Sequence, residues 1–366
     1  MKNDENFIKI IFLFLGSLIV LSIVVLIISF RSGSEKDTVS VGAVFIGEPN
    51  DHGWNECHYH GIKKACLEQS CRFYPIMNIP EEKEPLKDAV SELAFKGCSC
   101  IFLTSYGYGD YMDSLAKQYP DIAFYSISGK GTEKNTVSYF ARMYQVRYLA
   151  GIVAGATTKT NLLGYITSQP IPETIRSINA YTMGVRKANP SAKVLVSYVG
   201  SWNDSVKEGK VVKKMCDAGV DVFTHHQDAP YVIDVADDMG LYTTGYDFVY
   251  KDYSDCFLTA ALINWDVLYE KVLSDYISGR ADFSDNYWLG LADNAVSLYP
   301  YSDLVTEETK ALVESEKKRI NSWRDVFSGE IYDNEGYLRC DKDERINDHD
   351  LFNNMDWLVE GAEIYE

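Results

Sequence analysis

The sequence is poor in basic residues: 35 Lys and Arg stand against 53 Asp and Glu, a formal net charge of −18. That balance cannot assemble a basic face broad enough to neutralise a phosphate backbone, which argues against nucleic acid as a partner. A neutral or cationic small ligand suits it better. Catalytic signatures are missing too. No GxSxG elbow, GxxxxGKS/T loop, HExxH helix or GxGxxG fingerprint stands where a strand-to-helix turn would need it. The stretch YGYGD has two glycines without phosphate-loop spacing, and the pairs Asp237/Asp238 and Asp217/Asp221 read as solvated helix ends. No cysteine precedes Cys57, so a lipid anchor near the N-terminus has no acceptor.

Hydrophobic residues make up 46% of the 366 positions, enough to build two sizeable cores rather than one small domain. Aromatic residues reach 13%, with 26 Tyr and 6 Trp, more than packing requires and suited to a stacking site. The run 10–30 holds no charge, and about 21 apolar residues wound as a helix cross a ~30 Å hydrocarbon layer. A signal peptide would have a shorter apolar core and a small-residue cleavage site, and neither precedes the polar linker RSGSEKD. Residues 1–38 are therefore expected to form an uncleaved membrane anchor and linker carrying an extracytoplasmic domain. The few residues before the span cannot hold an output domain, which disfavours a sensory role.

Eight cysteines, Cys57, Cys66, Cys71, Cys98, Cys100, Cys216, Cys256 and Cys340, permit disulfides in an exported domain without establishing them. Cys98 and Cys100 are too close along a strand to pair with each other. The cluster CHYH at 57–60 invites a zinc reading. Only Cys57 and His60 share a helical face, however, and no second CxxC or HxxH completes a four-ligand set. Neither metal nor cofactor is expected.

After the linker, short β-branched runs alternate with longer helical patterns, the pattern of parallel sheets covered by helices. Strands are expected at 41–46, 71–77, 100–105 and 122–128, with helices at 54–69 and 81–96 between them. A small-residue helix at 144–158 allows close packing. A second cycle then sets strands at 162–167, 192–199, 220–225 and 241–246 among helices at 172–187, 204–218 and 230–239. The expected fold is α/β, two Rossmann-like lobes with a cleft between them. Lobe 1 takes 39–160 plus about 250–300, and lobe 2 takes 161–249 plus about 301–366. A helix at 262–278, lobe-crossing segments near 286–300 and an amphipathic helix at 306–326 complete the chain.

Ligands of open α/β sheets bind beyond the carboxyl ends of the strands. The sequence places Trp54 and Asn55 after the first strand, Ser105 and Tyr106 after the third, Trp202 in GSWNDS, Gln227 and Asp228 in HHQDAP, and Asp247 in GYDF. Trp54 and Trp202 occupy analogous strand-end turns, one per lobe, and closing the lobes would bring both rings onto a planar ligand. Asn55, Gln227, Asp228 and Asp247 are the natural partners for its edge, and Tyr106 and Trp288 are expected to wall the pocket. Of His225 and His226, one should face the cleft and the other pack.

The blocks DHGWN, YQVRYLAGIVAG, PIPETIRSINAYTMGVRKANP, GSWNDSVKEGK, HHQDAP, TTGYDF and MDWLVEGAEIY, in order from about Val39 to the C-terminus, resemble the basic membrane protein family. These are the purine-nucleoside and purine-base binding proteins of bacterial ABC transporters. The resemblance implies a type I periplasmic-binding-protein fold that closes on a purine without chemical change, with Trp54 and Trp202 as the stacking pair and Asp247 as the acid that holds ribose. Two departures stand out. The lysine that contacts sugar in nucleoside-binding members has no counterpart around Ile263, and the lipid-anchor cysteine is absent. The resemblance therefore implies capture of a free base, adenine preferred, for an ABC permease by a monomeric, membrane-anchored protein. A nucleoside receptor and a sugar-binding protein of the same fold are the alternatives. A nucleoside hydrolase would need the aspartate-rich start that this chain lacks.

Overall fold

The computed structural model describes residues 38–128, 131–320 and 324–366. The apolar run 10–30 lies outside them, and among the described residues no helix is long and apolar enough to cross a membrane. The chain opens with β1 (Ser40–Val44), α1 (Trp54–Glu68), β2 (Arg72–Ile76), α2 (Lys83–Phe95), β3 (Cys100–Leu103), α3 (Met112–Gln118), β4 (Ala123–Ile127) and β5 (Thr136–Ala141). There follow α4 (Met143–Thr157), β6 (Leu162–Thr167), α5 (Pro172–Ala188), β7 (Lys193–Tyr198), α6 (Ser205–Asp217), β8 (Val222–His226), α7 (Tyr231–Asp238), β9 (Tyr242–Asp247) and β10 (Phe257–Ile263). The remainder comprises α8 (Trp265–Ile277), β11 (Tyr287–Leu289), β12 (Val296–Leu298), α9 (Glu307–Arg319), β13 (Ile331–Tyr332), β14 (Leu338–Cys340), α10 (Asp348–Asn353) and β15 (Ala362–Ile364).

Two large sheets result, ordered β11-β5-β4-β3-β1-β2 and β12-β10-β9-β8-β6-β7-β15, beside a two-stranded antiparallel sheet of β13 and β14. The ladders of the large sheets are parallel except where β12 runs against β10. Parallel sheets are covered on both faces, which is why β1 (SVGAV) and β3 (CIFL) are buried at every position and show no alternation. In each large sheet the strand order reverses once, between β1 and β3 and between β6 and β8. A crevice opens at such a reversal because successive crossovers leave to opposite sides.

Strand pairing divides the lobes differently from the sequence-based partition. The apolar run of β10 extends the second sheet beside β9, with Ala261 opposite Tyr246, and β12 pairs with it. Only α8 and β11 of the stretch 250–300 join the first lobe. Helix α4, expected in lobe 1, packs on α5 and the second sheet, because it is apolar all round and buried from Met143 to Gly155. The charged helix expected at 306–326 ends at Arg319.

The chain crosses between lobes at 142, at 264 and at 290–295, and these crossings are tied side by side. Arg142 N–H donates to the Leu289 carbonyl at 2.7 Å, Leu291 N–H to Gln145 Oε1 at 2.9 Å, and Asn264 N–H to the Ala295 carbonyl at 2.9 Å. The C-terminal tail braces this hinge: Arg142 pairs with and donates to Asp348, and Tyr144 Oη and Gln145 Nε2 donate to Asp325.

The crossing of α4 and α5 is the tightest packing in the second lobe. A Cβ at Gly184 would lie 1.9 Å from the Tyr148 carbonyl oxygen, and one at Gly151 would lie 2.2 Å from that of Tyr181. Both obstacles are backbone, so neither can rotate away. Gly184→Ala is expected to destabilise the fold by roughly 1–3 kcal/mol or more in urea unfolding. Gly209→Ala, whose methyl meets only Val235 at an ordinary 3.6 Å, should be neutral or gain about 1 kcal/mol from helix propensity. Equal effects of the two substitutions would show that the close crossing is not a constraint.

Candidate functional site

The site begins at the N-terminus of α1, where the N-cap is Gly53 and offers no side chain. Asp51 replaces that cap. Its carboxylate accepts from the backbone N–H groups of Gly53, Asn55 and Glu56 at 3.1, 2.9 and 3.0 Å. The one remaining orphan donor of the first turn, Trp54 N–H, donates across the cleft to the Asp228 carbonyl at 3.1 Å. A Cβ at Gly53 would lie 1.8 Å from that carbonyl oxygen, so only glycine lets the two lobes meet here. The structure is therefore a closed one. Trp54 is oriented by its indole N–H, which donates to the Thr104 carbonyl at 2.8 Å, leaving its ring as an apolar wall.

A cavity lies at the two strand-order reversals. The first lobe supplies Trp54 after β1, Ser105 and Tyr106 after β3, and Ile127 at the end of β4. The second supplies Glu173 at the start of α5, Trp202 after β7, His226, Gln227 and Asp228 at and after β8, and Tyr246 in β9. Glu81 sets the 105–107 loop by accepting from Ser105 Oγ and Gly107 N–H, each at 2.6 Å.

Five of the eight residues expected from the sequence, Trp54, Tyr106, Trp202, Gln227 and Asp228, share this cavity. Three do not line it. Asn55 is spent locally: its amide donates to Asp51 at 2.7 Å and accepts from Gly47 N–H at 3.1 Å. Trp288 packs in the hinge against Phe352, between the guanidinium groups of Arg142 and Arg176, with its N–H on the Ala141 carbonyl at 3.2 Å. Asp247 faces β10 and accepts from the Trp265 indole N–H at 2.8 Å. Conversely, Ile127, Glu173 and Tyr246 were not singled out in the sequence. Glu173 was detectable by the logic that selected Trp54, since it opens the helix that follows a strand end.

The polar lining is arranged in two sets. Glu173 accepts from Ser128 Oγ at 2.6 Å and lies 3.4 Å from His226 Nε2, which also meets the Tyr246 hydroxyl at 2.9 Å. Burial opposes ionisation of Glu173, yet His226, Ser128 and Arg176 outweigh it and hold the carboxyl below its ordinary value. Burial also pushes His226 down. A neutral ring with its proton on Nε2, toward Glu173, leaves Nδ1 as an acceptor. His226 Nδ1 and Gln227 Oε1 are buried without a hydrogen-bond partner among the described residues, and both line the cavity, where a water or a ligand edge can satisfy them. Behind them Arg147 is wholly buried, donates to Thr224 Oγ1 at 3.0 Å and stacks on Tyr246, fixing the ends of β8 and β9.

Acidic groups dominate the rest. Burial lifts the Asp228 carboxyl well above the carboxylate range, and the charges of Asp51, Glu81, Glu208 and Asp247 add to it. Burial pushes Glu208 up to about 7 from 4.5. It likewise pushes Asp247 up to about 7 from 3.8, the Trp265 hydrogen bond opposing and Asp51 adding. Glu208 and Asp247 each stabilise the folded chain fully below the unfolded carboxyl value and lose that contribution as pH rises through about 7. The melting temperature should therefore fall from pH 5.5 to pH 8, and Glu208→Gln, neutral at every pH, should flatten the fall. An unchanged slope in that variant would show that Glu208 ionises as an ordinary glutamate.

Comparison with known proteins agrees with this architecture. The model of the Bmp family, described as ABC transporter substrate-binding protein PnrA-like, matches residues 38–330. A purine-binding protein of Brucella abortus is 31% identical over 333 residues, covering 90% of this chain and 94% of its own. A putative ABC transporter glucose-binding protein of Haloferax volcanii is 32% identical over 337 residues, covering 90% and 82%. Among solved structures, an ABC transporter solute-binding protein of Aeropyrum pernix superimposes with a TM-score of 0.69 at 18% identity, covering 86% of this chain and 95% of its own. Fold, cleft and a match over most of the described length lead to one assignment: the chain belongs to the Bmp family of PnrA-like ABC transporter substrate-binding proteins.

Proposed function

We propose that the protein captures a purine base outside the cytoplasm, adenine preferred, by closing its lobes, and delivers it to an ABC permease. The observation that carries this reading is the cavity itself: one indole from each lobe, and between them polar atoms without protein partners. Indoles gain most from a flat π-system. Gln227 Oε1 and the Asp228 carboxyl would accept from the amino and ring N–H groups of adenine, while its ring nitrogens would meet donors such as the Tyr106 hydroxyl. The acidic surround disfavours phosphorylated purines. The purine-binding Brucella relative supports the same ligand class. The reading includes residues 10–30 as the membrane anchor, a monomeric domain and no metal, cofactor or covalent step. The glucose-binding description of the Haloferax relative keeps a sugar as the second reading.

Calorimetric titration of the full chain, unfolded and refolded to strip carried-over ligand, with adenine, adenosine and glucose in parallel tests the proposal. Adenine should bind tightest, and Trp202→Ala should weaken it by roughly 1–3 kcal/mol. Binding of glucose alone would replace the reading with the sugar one. Gly53→Ala, once a cooperative melt shows that it folds, should bind adenine at least about tenfold more weakly because closure is blocked by the Asp228 carbonyl. Full affinity in that variant would show that binding does not need the contact between Gly53 and Asp228.

A further inference from the structure

Helix α1 ends in a turn that carries a cysteine on each side. Ser70 N–H donates to the Leu67 carbonyl at 3.2 Å and Cys71 N–H to the Cys66 carbonyl at 2.8 Å, while Ser70 takes a left-handed φ of 56°. Those two bonds and that φ make a Schellman motif, whose first and last residues, here Cys66 and Cys71, bring their side chains together. Glycine is the common occupant of the left-handed position, and a residue with a Cβ is strained there. The Cys71 thiol turns back over the helix end, 3.8 Å from the Gln69 carbonyl. Cys66 is buried and Cys71 partly so. Burial pushes the Cys66 thiol up to about 12 from 9.0, and Cys71 and then Cys98 add to it. Strand β1 separates β2 from β3. With neighbouring strands about 4.8 Å apart, Cys71 at the start of β2 stands ~10 Å from the backbone at Cys98 and Cys100, beyond the ~7 Å that a disulfide spans. Cys66 is the thiol that Cys71 can reach.

We propose that Cys66 and Cys71 are a disulfide site, oxidised outside the cytoplasm to a covalent staple that ties the C-terminal end of α1 to β2 across the strained turn. The compartment rests on the reading above, and disulfides persist there; the pairing itself is independent of the ligand, since neither cysteine lines the cavity. Cys71, the more exposed of the two, attacks as thiolate one sulfur of a small disulfide such as oxidised glutathione and releases one glutathione thiolate. Cys66 then attacks the Cys71 sulfur of the mixed disulfide and releases the second. The two protein thiols lose two electrons to the glutathione disulfide, and their two protons pass to the two glutathione thiolates. Burial raises both protein thiols, so each is a poor leaving group and the closed bond resists reduction. The same helix opens with Trp54, so the staple fixes the far end of the element that carries the aromatic wall and the interlobe hydrogen bond.

The test is to unfold the full chain, refold it in a mixture of oxidised and reduced glutathione, alkylate its remaining thiols in denaturant and digest it with trypsin for mass spectrometry. Cleavage after Lys64 and Arg72 leaves both cysteines on the peptide 65–72. That peptide should appear lighter by two hydrogens and unalkylated, and should take up two alkyl groups once reduced. The oxidised chain should melt about 2–5 °C above the reduced one. Cys71→Ser should abolish that difference, whereas Cys216→Ser, in the other lobe, should keep it. If Cys71→Ser does not fold, Cys71→Ala carries the same comparison. A peptide 65–72 alkylated on both thiols, or a link from Cys66 to Cys98 or Cys100, overturns the pairing. Equal melting temperatures of the oxidised and reduced chains, with the bond present, overturn its role as a staple.

Discussion

A backbone hydrogen bond joins the lobes from Trp54 N–H to the Asp228 carbonyl, made in the gap that glycine leaves at position 53, beside the side-chain one from Ser128 Oγ to Glu173. The first turn of α1 has four donors to satisfy, and Asp51 takes three of them. The fourth can be satisfied only by the other lobe or by water. Helix capping and lobe closure are therefore the same set of bonds, and the residue that makes the interlobe bond also presents the aromatic wall. A ligand between the lobes adds contacts that exist only in the closed state, which is how binding energy shifts a hinge equilibrium.

The three crossings of the hinge are hydrogen-bonded to one another, and the tail braces them through Asp325 and Asp348. Trp288 belongs to this assembly, held between two guanidinium groups, where its aromatic surface stiffens the pivot. Arg147 plays the corresponding part inside the second lobe, joining α4 to the ends of β8 and β9, so that His226 and Tyr246 are presented by a rigid floor.

Asp51, Glu81, Glu208, Asp228 and Asp247 crowd one region, and burial raises the carboxyls of Asp228, Glu208 and Asp247. Glu208 and Asp247, raised to about 7, switch between donor and acceptor near neutral pH.

Much of this was legible in the sequence, because alternating apolar runs and helical periods follow from local physics. Buried parallel strands must be continuously apolar, and ligands gather at strand ends; those two rules located Trp54, Tyr106, Trp202, Gln227 and Asp228. What the sequence could not determine was which way each strand-end side chain is used. Asn55 and Trp288 have the right chemistry, but Asn55 is consumed by a turn eight residues back and Trp288 by a hinge formed from segments as far apart as Arg142 and Phe352. The assignment of β10 to the second sheet, the burial of α4 by α5 and the engagement of Asp247 by Trp265 likewise rest on contacts between residues distant in the chain. A linear pattern records what a residue can offer, whereas the partner that accepts the offer is fixed by packing.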